Sequence, residues 1–320
     1  MSTASSPAIL ADIGATNARF ALLLDGVPTA ITTYAVADYA SPIDALRAFL
    51  AGPAHGHHPK TAVIAAAGPV VAGRVTMTNA AWTVDTDRIR HGLGFYTVHV
   101  INDFEAQAWA LPALQPDDLF TLGPAVASAH GTMAVLGAGT GFGLAALASA
   151  PGGEVILVTE GGHATLSSEN QREDAVILAL RERLFNVSVE RVLSGPGLIH
   201  LYHAIAIVDG LKPTERTSAA IVSHALAGDC ETSRQTLEMF CAFLGSVAGN
   251  IALTLGAVGG MYVAGGIVPE FTEFLRHSAF RERFEAKGDM VSYLQRIPTS
   301  VITHKSPAFV GLARRASHVA

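Results

Sequence analysis

The chain has little cysteine, little lysine and little charge. Its two cysteines, Cys230 and Cys241, offer no disulfide framework and no metal-ligand spacing, which fits a reducing compartment. Only four of its 21 basic residues are lysines (Lys60, Lys212, Lys287 and Lys305). Set against 27 acidic residues they leave a formal net charge of −6 with no long run of either sign, which argues against a nucleic-acid surface. No Gly-Lys dipeptide occurs, so a Walker-type phosphate loop is excluded. No His-Arg-Asp triplet is present either, which disfavours a protein kinase. Met1–Pro7 lacks the basic start of a secretory signal. The longest apolar segment, Phe240–Val263, is broken by Gly245, Gly249, Asn250, Gly256, Gly259 and Gly260, so it reads as a buried helix followed by a strand. A soluble cytoplasmic protein is expected.

What remains is apolar and rich in glycine. Half of the 320 residues are hydrophobic, enough for a sizeable core, and 31 are glycine, which suits tight turns and close backbone approach to a ligand. This length can hold two packed domains. Pro112 and Pro116 break the helical pattern of Phe104–Leu111 and place the boundary there.

The most informative stretch is Val98–Ala106. A short β-branched run ends in Asn102-Asp103, and a helical pattern (Phe104, Ala108, Leu111) follows. Side chains at the C-terminal end of a buried strand project into the crevice where open α/β sheets bind ligands. Asn102 could bond a polar substrate there and Asp103 could take a proton from it. Taken alone, the pair reads equally well as a helix cap.

Near the start, Ala8–Leu24 reads as strand, tight turn and strand, with Asp12 at the first strand's end and Gly14, Ala15, Thr16 and Asn17 in the turn. Such a turn can aim backbone N–H groups at a phosphate, with the Thr hydroxyl as a further donor. Asp12 could orient a Mg²⁺-bound water, because Mg²⁺ usually keeps several waters around one or two carboxylates. An ordinary hairpin uses the same residue types. About 120 residues later the figure repeats, with an apolar strand, a turn containing Gly139, Thr140 and Gly141, and a second apolar strand. The echo suggests two similarly built domains facing each other across a cleft. Phe142 and Leu144 break the Gly-x-Gly-x-x-Gly spacing of a dinucleotide fingerprint, which disfavours a dehydrogenase.

Further along, Glu160-Gly161-Gly162-His163 can turn an acid and an imidazole toward one ligand. Ser168-Glu169-Asn170-Gln171 reads as a capping box for a helix through Leu184. Ser188–Leu193 reads as a short helix ended by Gly195-Pro196-Gly197, with Glu190 in its first turn, where the helix dipole favours a carboxylate. Gly265-Gly266 follows a strand and precedes Pro269, so a flat ring or phosphate could approach the main chain closely there. His55, His57 and His58 form a Gly/Pro loop with no carboxylate or cysteine to complete a metal site.

Seven segments in order resemble the bacterial glucokinases of the hexokinase–actin–heat-shock-ATPase superfamily, in the group without the zinc-binding Cys cluster. They are Asp12–Asn17, Met77–Trp82, Ile101–Phe104, Gly137–Gly141, Glu160–His163, Glu190–Gly197 and Ala264–Pro269. One departure is Ala15, where that family usually has a second glycine. The resemblance implies an α/β fold of the two-lobed, actin-like ATPase (ribonuclease H-like) type with a cleft between a smaller and a larger domain. The smaller would span residues 1–112, completed by the C-terminal helix at 302–320, and the larger 113–301. It further implies ATP-dependent phosphorylation of glucose at the 6-hydroxyl. Sugar would be held by Asn102, Asp103, Glu160, His163 and Glu190, with Asp103 as general base. ATP and Mg²⁺ would be held by Asp12, Gly14, Ala15, Thr16, Asn17, Gly139, Thr140, Gly141, Gly265 and Gly266, and homodimers are common in the family. A sugar-independent actin-like ATPase would not need the sugar set, and a sugar-sensing repressor would need more than about seven residues before the first strand.

Overall fold

In the computed structural model, which describes residues 6–77, 82–124, 131–214 and 216–319, the chain divides into two compact units. One comprises Met1–Gln115 with His304–Ala320, the other Pro116–Thr303. The turn expected at Asn79–Trp82 lies largely outside the described residues.

The first unit is built on three antiparallel strands, β1 (Ala8–Ile13), β2 (Asn17–Leu24) and β3 (Val27–Ala35). Asp25 and Gly26, both with positive φ, make the tight turn into β3 that the Asp-Gly pair predicts. Helix α1 (Pro42–Ala51) starts at Ser41, whose hydroxyl accepts the Asp44 amide, and it buries Leu46 and Phe49. Strand β4 (Thr61–Ala66) returns parallel to β1. A short ribbon of β5 (Arg74–Thr76) and β6 (Thr83–Asp85) leads into α2 (Thr86–Leu93), capped by Asp85. Strand β7 (Thr97–Asn102) lies parallel to β4 and runs directly into α3 (Asp103–Ala110). The strand order is β3-β2-β1-β4-β7. The core under this sheet includes Ile9, Phe20, Phe49 and Ile64. Burial of a side chain of this size contributes roughly 1.5–3 kcal/mol. The C-terminal helix, Pro307–Ser317, packs on α3. A Cβ on its Gly311 would fall 1.8 Å from the Ala106 carbonyl, so only glycine permits that approach.

The second unit repeats the arrangement. After the short edge strand β8 (Leu119–Thr121) come β9 (Met133–Ala138), β10 (Phe142–Ala150) and β11 (Gly153–Thr159), again antiparallel in sequence. Helices α4 (Gln171–Arg181), α5 (Val189–Val192), α6 (Gly195–Val208), α7 (Ser218–Ala227) and α8 (Glu231–Leu255) follow. Strand β12 (Gly260–Ala264) then pairs parallel with β9. Helices α9 (Thr272–His277), α10 (Phe280–Glu285) and α11 (Val291–Leu294) precede the last strand, β13 (Thr299–Ile302). The order is β11-β10-β9-β12-β13-β8. Its first five positions reproduce the first unit's sheet, so the repeated strand–turn–strand figure reports a repeated sheet. Among the described residues α8 is the one helix long and apolar enough to cross a membrane, and its apolar stretch is mostly buried. It packs inside the second unit, with Phe240, Phe243 and Leu244 in the core.

Two local expectations are corrected. The cap of α4 is Asn170, not Ser168: its side chain accepts the Glu173 amide at 3.0 Å. Glu173 accepts the amide of Glu169, one residue before the cap, at 2.8 Å and the Asn170 side-chain N–H at 2.8 Å, and the helix stops at Arg181. Gly195-Pro196-Gly197 does not simply end α5; it opens α6, with Ser194 as cap and the proline in the first turn, where its missing N–H is harmless.

Glu173 is 2% exposed and meets Arg283, which donates to both its carboxylate oxygens at 2.5 and 3.1 Å and to Ser246 Oγ at 3.0 Å. Removing Glu173 takes the two-oxygen partner from Arg283 and leaves it Glu169, whose Oε2 lies 3.0 Å from its Nε. Glu173→Ala is expected to lower unfolding stability by about 1.5–3 kcal/mol in urea titration, the range for hydrogen bonds to a charged group; a loss under about 1 kcal/mol would show that Glu169 alone satisfies Arg283.

Candidate active site

In the first unit the parallel registers set Ile13, Ala66 and Asn102 level, so β1, β4 and β7 end together at one edge of the sheet. That edge is where an open α/β sheet presents ligand groups. Asn102 is buried, and its amide is mostly engaged. Oδ1 accepts the Phe104 amide at 2.8 Å and the Glu105 amide at 3.3 Å, while Nδ2 donates to the Gly68 carbonyl at 3.0 Å. Its oxygen is therefore fixed as the α3 cap, and one N–H is left for another partner. Asp103 is the first residue of α3 and half-buried. The partial positive charge of a helix start favours a carboxylate there. Capping and strand-end chemistry thus fall on adjacent residues and do not compete.

The β1–β2 turn lies at the same edge. Gly14 N–H closes the turn onto the Asn17 carbonyl at 2.9 Å, so the amides of Ala15 and Thr16 are the ones it can present to an anion. Thr16 and Asn17 are exposed. The described non-glycine residues with positive φ are Asp25, Ala30 and Ala72. Ala15 is not among them, so its Cβ meets no backbone penalty in this turn. Burial pushes the Asp12 carboxyl above its ordinary value, and the Arg19 guanidinium 3.7 Å away draws it partly back. A desolvated carboxylate of this kind suits a cation that brings its own waters. Among the described residues no three His, Cys, Asp or Glu side chains cluster as a metal cage, the His55–His58 loop included. Asp12 thus fits a Mg²⁺ ion that keeps most of its own waters.

In the second unit β9 and β12 also end level, with Gly137 opposite Ala264. Gly139 N–H closes the β9–β10 turn onto the Gly141 carbonyl at 2.8 Å, so the Thr140 and Gly141 amides are the ones it can present to an anion. Gly265 has φ +91°, and a Cβ on it would lie 2.3 Å from the Ala138 carbonyl, so the diglycine is pressed against the end of β9. Beside Gly266 opens a cavity of about 480 Å³ lined by Leu198, Ser218, Val222, Ser223, Ile267 and Glu270, among others. This is within the range of small-molecule sites, about 300–1,000 Å³. Sequence reasoning missed its α7 wall. The available signal was the spacing Ser218, Ala219, Val222, Ser223, which puts small residues on one helix face.

Glu160 follows β11, and Gly161–His163 form a single 3₁₀ turn. His163 Nε2 lies 3.9 Å from Glu160 Oε2, and both side chains are exposed. Gly162 sits against the Phe142 carbonyl, and Glu190 Oε2 accepts the Phe142 amide at 2.8 Å. The structure thus brings Glu160, His163 and Glu190 together around the residue that closes the second glycine turn.

Two sheets of matching order, each with a glycine turn after its first strand, define the actin-like ATPase class of α/β fold. The glucokinase family model matches residues 9–319. Over 311 residues the chain is 43% identical to the glucokinase of Paramagnetospirillum magneticum, covering 97% of each. The crystal structure of a glucokinase from an Antarctic psychrotroph superposes with a TM-score of 0.90 at 36% identity, over 98% of this chain and 99% of that one. A ROK family glucokinase from Streptomyces griseus, solved with glucose and AMPPNP, shares the fold at a TM-score of 0.65 and 20% identity, over 98% of this chain and 100% of that one. The chain belongs to the glucokinase family.

Asn102→Ala removes the α3 cap and the tie to Gly68 together. Thermal or urea unfolding is expected to show a loss of about 1–2 kcal/mol; unchanged stability would mean that water caps the helix as well. Ala15→Gly is expected to lower stability by about 0.4–1 kcal/mol through the freer unfolded chain. A gain in stability would place Ala15 under strain after all.

Proposed function

We propose that this member of the glucokinase family transfers the γ-phosphoryl group of ATP to the 6-hydroxyl of glucose, with Asp103 as the general base. The observation that carries this function is the position of Asp103, at the head of α3 directly after the sheet-edge residue Asn102. A primary hydroxyl is a poor nucleophile until its proton has somewhere to go, and a carboxylate beside it accepts that proton as the oxygen attacks phosphorus. Asn102 has one N–H to give a sugar oxygen. Glu160 and Glu190 offer acceptors and His163 a ring nitrogen, so an epimer with a hydroxyl turned away leaves one of these groups unpaired.

The donor phosphates are met by the β1–β2 turn (Gly14, Ala15, Thr16, Asn17) and the β9–β10 turn (Gly139, Thr140, Gly141), with Gly265 and Gly266 against the nucleoside. The cavity beside Gly266 is the proposed seat of the adenine ring. Mg²⁺, oriented through water by Asp12, would neutralise phosphate charge that the chain's few lysines do not. Positioning and charge stabilisation then supply most of the acceleration, with the backbone amides as preorganised donors. The two units are the proposed smaller and larger domains, and the protein is proposed to work in the cytoplasm as a homodimer.

ADP release, followed by a coupled assay, should depend on added glucose; equal turnover without sugar would defeat the proposal in favour of a sugar-independent ATPase. Asp103→Ala should fold and still bind glucose while losing turnover by roughly 10²–10⁴-fold or more. Retained turnover in that variant would put the base elsewhere.

A further inference from the structure

Glu190 is set against the backbone of the second glycine turn, on a short helix, α5, that packs against the Gly161–His163 turn. Its Oε2 accepts the Phe142 amide at 2.8 Å across 48 residues of sequence. Phe142 is where the turn closed by Gly139 and Gly141 passes into β10. A Cβ on Gly141 would lie 2.4 Å from that same oxygen, so the carboxylate reaches the amide only because residue 141 is glycine. On the other side of Phe142, a Cβ on Gly162 would lie 2.3 Å from its carbonyl oxygen. The main chain of Phe142 is therefore held from both sides, by Glu190 and by the turn that carries Glu160 and His163. At the start of α6, Gly195 N–H adds a third restraint by donating to the Gly139 carbonyl at 2.8 Å.

An ionised carboxylate has two oxygens and about four lone-pair sites. With Oε2 on the amide, Oε1 is left for a hydroxyl. Resting on the kinase reading above, we propose that Glu190 is a positioning residue for the phosphate turn, its carboxylate shared between that turn and the sugar. Sugar binding then fixes the carboxylate, the carboxylate fixes the turn, and the turn meets the nucleotide. Linkage makes the effect reciprocal: glucose raises nucleotide affinity by the same factor by which nucleotide raises glucose affinity.

The test is calorimetric titration of Mg²⁺·ADP into the enzyme without and with glucose, for the wild type and for Glu190→Ala, Glu190→Asp and Glu190→Gln. Without sugar, Glu190→Ala and the shorter Glu190→Asp should each bind Mg²⁺·ADP about tenfold more weakly, or worse, because the Phe142 amide loses its charged acceptor. Glu190→Gln keeps an acceptor of the same reach and should stay within about threefold of wild type, while its glucose affinity falls. Added glucose should tighten Mg²⁺·ADP binding in the wild type and no longer do so in Glu190→Ala. If Glu190→Ala does not fold, Glu190→Asp carries the comparison. Wild-type Mg²⁺·ADP affinity in the Ala and Asp variants would overturn the positioning role, as would a Gln variant as weak as Ala. No effect of glucose on the wild type would overturn the coupling. Glucose-independent ADP release defeats the kinase function but leaves the sugar-free affinities intact, so the two failures are distinguishable.

Discussion

A parallel strand leaves its ladder with hydrogen-bonding groups unspent, and the register of its neighbours decides which of those groups come level. In the first unit Ile13, Ala66 and Asn102 are aligned, so the turn after Asp12 and the start of α3 share one edge of the sheet. In the second unit Gly137 and Ala264 are aligned, which sets the Gly139–Gly141 turn beside the Gly265–Gly266 pair. Both turns spend their first glycine amide on closing themselves, through Gly14 onto Asn17 and through Gly139 onto Gly141. What each turn can offer a ligand is therefore the amides further along, held rigidly because the first is committed. The repeated sheet order makes the two edges comparable, and their side chains divide the chemistry. The first edge carries the carboxylates of Asp12 and Asp103, while at the second the carboxylate of Glu190 is bound to the Phe142 amide of the turn.

That division bears on the scarcity of lysine. A phosphate site built on a lysine brings its positive charge with it, and neither glycine turn contains one. Main-chain amides supply direction and partial charge but no full charge, so on the proposed function a metal ion would carry the neutralisation of the triphosphate. Asp12 is the counterpart of that need. It is desolvated enough for its carboxyl to be raised, and the exposed Arg19 at 3.7 Å partly relieves it. A carboxylate in that state gains more from a hydrated cation than a solvated one would.

Much of this architecture was legible in the sequence because its signals are local. Alternation and Gly-containing turns gave both strand–turn–strand figures, and the glycine-broken apolar stretch of α8 marked it as internal. Errors arose where two local templates fit equally. Ser168 with Gln171 and Asn170 with Glu173 satisfy the same capping pattern, and the choice falls to Glu173, which a salt bridge to Arg283, 110 residues away, ties into the core. Gly195-Pro196-Gly197 carries both a stop signal and a start signal, and the helix that follows uses the second. The cavity wall on α7 was missed although Ser218, Ala219 and Ser223 share one helix face, because small residues there mark no site until a neighbouring diglycine leaves space beside them. The bond from Glu190 to Phe142 was invisible: it joins a short helix to a hairpin, and no spacing along the chain encodes it.

Asn102 shows how a structural duty can specify a chemical one. Its side-chain oxygen is committed to the amides of Phe104 and Glu105, and its nitrogen to the Gly68 carbonyl, so the amide cannot be turned over without breaking three bonds. The one hydrogen still to be placed is a donor, and its direction is fixed by the other contacts. On the proposed function, a sugar oxygen that receives this N–H keeps its own proton to give away. The next residue in the chain is Asp103, an acceptor at the first position of the same helix. Helix capping therefore does more than stabilise α3: it fixes the polarity of one contact and, on the proposed function, that polarity would leave the neighbouring carboxylate as the group to take the proton.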